Sequence, residues 1–184
     1  MIKHPDTIVL QPFTKFSLFS YASNIPYLHW NCRYDDLMYS KAVRSLWGGP
    51  DKLIIQEHDV DFPSDRAEEL VNCSYPYCTI PYLLYPVTTG LDEPVYSIRN
   101  DYFDANGNEV FSWATQKKKF ANFSALGLVK LGAQRKSIMP PPLTHWASLD
   151  VCVNHLLRGS LTLSGDAYPD LWHVHWPATR HHHQ

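Results

Sequence analysis

Nowhere along this 184-residue sequence does an apolar run approach the roughly 18 to 20 residues that a membrane-spanning helix needs. The opening residues, MIKHPDTIVLQPF, lack the apolar stretch of a secretory signal, so neither a membrane-embedded nor a conventionally secreted protein is expected. Cysteine is scarce. Cys32, Cys73, Cys78 and Cys152 are too few and too scattered to staple a disulfide scaffold, and a cytoplasmic location is the expectation that follows. In that compartment the sequons Asn72-Cys73-Ser74 and Asn122-Phe123-Ser124 are chance matches. Charged residues make up only 18% of the chain against 45% hydrophobic, which excludes intrinsic disorder and predicts a real core. Repeats, low-complexity tracts and linkers are all missing, and residues 1–184 read as a single domain.

One further absence is local. Between Val110 and Leu149 there is no acid, while Lys117, Lys118, Lys119, Lys130, Arg135 and Lys136 are present. Between Asp51 and Glu69 the balance reverses, with seven acids against Lys52 and Arg66, so a net charge of -2 conceals a separation of sign. The acidic block suits a divalent cation and the basic block suits phosphates, although either could equally be a solvated face. Six tryptophans and eleven tyrosines supply core area, and their rings also stack on sugars and bases.

Thr7 to Leu10 is a β-branched and aliphatic run closed by Pro12, which predicts a first strand. Leu37, Met38, Ala42, Val43, Leu46 and Trp47 recur at helical spacing within Tyr34 to Trp47. Asp35 or Asp36 can cap that start, and Gly48-Gly49-Pro50 stops it. Lys52 to Gln56 is a nearly continuous apolar strand of the kind covered on both faces in a parallel sheet. Glu57-His58-Asp59-Val60-Asp61 breaks it, and Pro63 and Ser64 open a helix through Val71. Strand, helix, strand, helix predicts an α/β fold with a parallel sheet. Further strands are predicted at Leu83–Tyr85, Val95–Ile98, Val110–Trp113, Leu126–Leu131 and Leu171–Trp176, with a hairpin turn at Asn106-Gly107. After three prolines, Trp146 to Arg158 reads as a helix.

The acidic cluster carries the chemistry. It stands where a buried strand ends, the usual ligand edge of an open α/β sheet. If the segment stays extended, Glu57, Asp59 and Asp61 face one way and converge on Mg²⁺ or Mn²⁺. Alternatively the carboxylates cap the next helix, which suits Asp61. His173 and His175 project from one face of their strand and suit Mn²⁺ or Zn²⁺. The terminal His181, His182 and His183 resemble a purification tag and carry no weight alone. Asp150, early in its helix, is a general base if it faces a pocket and a helix-dipole partner otherwise. Cys73 and Cys78, spaced C-x4-C, are half of a zinc site that needs histidines from elsewhere, or a buried apolar pair.

Taken in order, the apolar strand ending in Glu57-His58-Asp59, the glycine-containing strand Leu126 to Leu131, Trp146-Ala147-Ser148-Leu149-Asp150 and the late histidines resemble a small GT-A glycosyltransferase, similar to compact phage and bacterial sugar transferases. The resemblance implies a Rossmann-related mixed sheet flanked by helices. It implies Mn²⁺ or Mg²⁺ on Asp59, with Asp61, His173 and His175 as further ligands, His181 in reserve and the register (57/59 or 59/61) open. It also implies a nucleotide-sugar, a UDP-sugar first, held by Glu57, Asp59, Lys130, Arg135 and Trp146. Asp150 would be the base of an inverting transfer to an acceptor hydroxyl, and hydroxymethylpyrimidine DNA is one acceptor compatible with the basic stretch. Two other functions compete: a zinc-dependent hydrolase built on His173 and His175, and a non-catalytic nucleic-acid-binding module.

Overall fold

A computed structural model describes residues 4–15, 25–60, 64–85, 90–160 and 168–176. Among them the chain runs β1 (Thr7–Phe13), β2 (Tyr27–Asn31), α1 (Met38–Leu46), β3 (Lys52–Gln56), α2 (Ser64–Asn72) and β4 (Tyr77–Thr79). The middle follows as β5 (Leu83–Leu84), β6 (Val95–Tyr96), β7 (Ile98–Phe103), β8 (Glu109–Trp113), β9 (Phe120–Ala121), β10 (Phe123–Ser124) and β11 (Leu128–Leu131). A short 3₁₀ turn, α3 (Trp146–Gly159) and β12 (Trp172–Val174) complete it.

Seven strands form one sheet in the order β2-β1-β3-β11-β4-β12-β9. β1 is parallel to β2 and β3, and β12 is parallel to β4. β11 lies antiparallel between β3 and β4, and β9 antiparallel beside β12. The fold is thus mixed α/β, with five strands sharing one direction and two opposing it.

Side-chain alternation divides the core into two layers. Leu10, Leu53, Ile55, Val129, Leu131 and Trp172 face one side, where α1 lays Ala42 and Val43 and α3 lays Leu149, Val153 and Leu157. Val9, Ile54, Leu128, Cys78 and Ile80 face the other, covered by Ala67, Leu70 and Val71 of α2. Each fully buried Leu, Ile or Val contributes about 1.5–3 kcal/mol, so the helices are held by these stripes rather than by propensity. A three-stranded sheet, β10-β7-β8, packs at the end of α3. Its hairpin turns at Gly107 (φ +78°), where Asp104 Oδ1 accepts from the amides of Asn106 and Asn108.

Most predicted elements are present with shifted boundaries, but β2, β4, β9 and β10 were not anticipated, and the strand predicted at Val95–Ile98 is divided between β6, which pairs with β5, and β7, which pairs with β8. β2 is the half-exposed edge strand Tyr-Leu-His-Trp-Asn, which lacks a clean apolar alternation. β1 also runs through Pro12, which lies beyond the last β1–β3 pair (Leu10–Ile55), where β1 pairs with β2 alone.

Candidate functional site

β1, β2 and β3 end at the same edge, and the turns leaving them wall a pocket of about 330 Å³. Phe13 and Thr14 come from the end of β1, Cys32, Arg33, Asp35 and Asp36 from the turn after β2, and Glu57, His58 and Asp59 from the end of β3. Tyr39 of α1 and Trp146 at the start of α3 close it. The acidic segment is not extended. The Val60 amide donates to the Glu57 carbonyl (3.0 Å), making a turn, so Glu57 and Asp59 do not alternate along an extended strand as expected. Buried Gln56 fixes that turn from below: its Oε1 accepts from the Tyr27 hydroxyl (3.2 Å) and its Nε2 donates to the Val60 carbonyl (3.0 Å). The Glu57 amide donates to the Gly127 carbonyl (2.9 Å), tying the turn to β11. Asp61 and His181 lie outside the described residues.

Four carboxylates stand in the wall: Asp35, Asp36, Glu57 and Asp59. Asp35 pairs with Lys41 (2.7 Å) and accepts from the Leu37 amide (2.8 Å), which together hold its carboxyl below the usual range; the N-cap of α1 is Leu37, with no side-chain cap, so neither Asp35 nor Asp36 takes the capping role expected of it. Asp36 pairs with His145 (3.3 Å), and His58 Nε2 lies 3.5 Å from the Thr14 hydroxyl. Burial, reinforced by the Glu57 carboxylate, pushes the Tyr39 hydroxyl well above its ordinary value, and burial pushes the Cys32 thiol up to about 11. Both are neutral at pH 7.

Trp146 is 59% exposed at the mouth. Asp150 is four residues on along α3, hence on the same helical face, and its charge reaches Tyr39. Burial raises the Asp150 carboxyl. The Val151 amide (2.7 Å to Oδ1) and the Arg99 guanidinium oppose that shift. Phe13, Arg33, Asp35, Asp36 and Tyr39 are pocket residues that sequence reasoning missed, apart from the capping role given to the two aspartates. The available signal was that they flank the ends of the first strands.

Two predicted site residues serve elsewhere. Lys130 is buried, its Nζ donating to the carbonyls of Cys73 (2.7 Å) and Tyr75 (2.8 Å). Arg135 is fully buried and clamps main-chain carbonyls, among them Asp51 (3.2 Å), Leu131 (3.0 Å), Gly132 (2.9 Å) and Pro50 (2.5 Å). Burial lowers it to about 10, still charged at neutral pH. Neither side chain is available to a phosphate. Lys136 pairs with Asp51 (2.6 Å), so of the basic stretch only Lys117, Lys118 and Lys119 reach a surface groove, which also takes in Glu69, His173 and His175.

His173 and His175 do not join Asp59. The two sites are three strand spacings apart in the sheet, roughly 14 Å. They gather instead with Cys73 and Cys78, one donor atom from each lying within 4.8 Å of all the others. Among the described residues this is the group of three or more His, Cys, Asp or Glu close enough to share a metal, and the acids of the pocket form none.

No protein-family model matches the chain, and no curated protein matches it. Among solved structures, it is similar to the crystal structure of A197 from STIV at 15% identity and a TM-score of 0.44, covering 70% of this chain. The chain spans 65% of the length of that protein.

Proposed function

We propose that the pocket at the ends of β1, β2 and β3 binds a nucleotide-sugar, a UDP-sugar first, and that the protein is a metal-dependent glycosyltransferase. One observation carries the reading. Segments far apart in the chain bring Glu57, Asp59 and Trp146 into one wall at the carboxyl edge of the parallel strands, with Asp150 one helical turn from Trp146. A volume of about 330 Å³ suits part of such a ligand, the remainder lying over the open mouth.

The carboxylates of Glu57 and Asp59 are oxygen donors that Mn²⁺ or Mg²⁺ accepts, and two such ligands leave positions for phosphate oxygens. Bound there, the ion supplies positive charge against the leaving diphosphate. The chain's own residues do the rest. Trp146 offers a ring face to the sugar. Asp150, its carboxyl raised by burial, takes the proton of an acceptor hydroxyl as that oxygen attacks. Neutral Tyr39, close to Glu57 and within reach of the Asp150 charge, adds no further negative charge to a pocket already walled by carboxylates. With Lys130 and Arg135 occupied internally, a modified-DNA acceptor rests on Lys117 to Lys119 alone. Calorimetry of UDP with and without Mn²⁺ tests the reading. Binding should require the metal and weaken at least about tenfold, a change of about 1.4 kcal/mol, in Asp59→Ala. Metal-independent binding that Asp59→Ala leaves intact, or no binding at all, would sink it.

A further inference from the structure

We propose that Cys73, Cys78, His173 and His175 hold one zinc ion in a closed, structural site independent of the pocket. The fold assembles these donors from three elements. β12 pairs in parallel with β4 so that His173 stands opposite Cys78, and His175, two residues on, shares that face. Cys73 follows directly after α2, the helix that covers the same face.

The spacings fit tetrahedral coordination. Donors 2.0 to 2.3 Å from zinc stand about 3.3 to 3.8 Å apart along the edges of a tetrahedron. Here His173 Nδ1 lies 3.4 Å from Cys73 Sγ and 3.2 Å from His175 Nε2. Two ring nitrogens at that distance need a proton or a cation between them. The surroundings supply the expected support. His175 points its other nitrogen, Nδ1, at Glu69 Oε1 (2.8 Å), the carboxylate–histidine arrangement that fixes a ligand's tautomer. Tyr75 stacks on the His173 ring at 4.3 Å. Lys130 pins the Cys73–Tyr75 backbone through two carbonyls, and Arg66 pairs with Glu69 (2.6 Å).

Two thiolates and two imidazoles select zinc over Mn²⁺ or Mg²⁺, which prefer oxygen. Four protein donors leave no position for an activated water, so the site is structural and not that of a hydrolase. It joins the end of α2, β4 and β12.

The test uses the full chain, stripped with chelator and reconstituted with zinc or cobalt, without nucleotide, so that it stands or falls apart from the pocket. Elemental analysis should find one zinc per chain. Cobalt should give intense tetrahedral d–d bands with thiolate charge transfer, lost in Cys78→Ser. Glu69→Gln, which retains all four donors, should weaken zinc affinity about 10- to 100-fold while far-ultraviolet circular dichroism stays native. Failure to retain zinc, a weak octahedral cobalt spectrum, or a Cys73–Cys78 disulfide in the freshly purified chain would overturn the site.

Discussion

At the scale of single residues, Asp150 sets the most direct test of the proposed chemistry. Its carboxyl is raised because the fold withdraws it from water more than Val151 and Arg99 compensate. A folded value above the unfolded one means that the protonated form is favoured in the native state. The stabilisation is complete below the unfolded value and is lost as pH rises through the folded one. Asp150→Asn should therefore melt higher than wild type at pH 7 and gain less at pH 4, by differential scanning fluorimetry. The same substitution should cut transfer by about 100- to 10,000-fold with UDP binding unchanged, since a general base is worth that much. Transfer at the wild-type rate would refute the assignment. Asp59, Glu57 and Trp146 were legible in the sequence because a strand terminus and a helix start are local signals. Lys130 and Arg135 were not: a cation in a basic stretch reads the same whether its head meets solvent or a ring of carbonyls. Cys-x4-Cys and His-x-His were each visible, but their meeting depends on β12 choosing β4 as partner, which no local pattern encodes.

At the scale of elements, the acidic turn owes its position to the start of β11. Gly127 accepts from the Glu57 amide, and a Cβ at Gly127 would run into the Tyr82 ring. Gly127→Ala should cost about 1–3 kcal/mol in urea unfolding, the range for overpacking a filled site. The clash has one identified partner. The double variant Gly127→Ala/Tyr82→Leu should thus be more stable than the sum of the two single losses predicts. Strict additivity would mean that the glycine is required for another reason. β1, β3 and all three helices could be read from periodicity and stop signals. β4 escaped because Tyr77-Cys78-Thr79 is too short to show a period, and β11 was read as a strand without its reversed direction, which only its neighbours define.

For the molecule as a whole, Asn154 joins what would otherwise be separate layers. Its Oδ1 accepts from the Ser124 amide (3.1 Å) and from Trp172 Nε1 (2.8 Å), and its Nδ2 donates to the carbonyls of Ser124 (2.8 Å) and Asp150 (2.7 Å). One buried side chain thus links α3 to the small sheet through β10 and to the large sheet through β12. Nearby, Asp101 of β7 and Arg158 of α3 form a buried ion pair at 3.1 Å. Asn154→Ala orphans buried donors on Ser124 and Trp172, at about 1–3 kcal/mol each, so a loss of at least about 2 kcal/mol is expected. Hydrogen exchange should show β7, β8 and β10 opening first; uniform loss of protection across both sheets would show that they unfold as one. The α/β class was legible because alternating strands and helices leave few ways to cover a sheet, whereas the attachment of the second sheet was invisible in a lone helical asparagine. The order of the large sheet has a further effect during synthesis. β12 sits between β4 and β9 although it leaves the ribosome after both. Among the described residues β9 pairs in that sheet only with β12, so neither that edge nor the approach of His173 to Cys78 can form before β12 has been made.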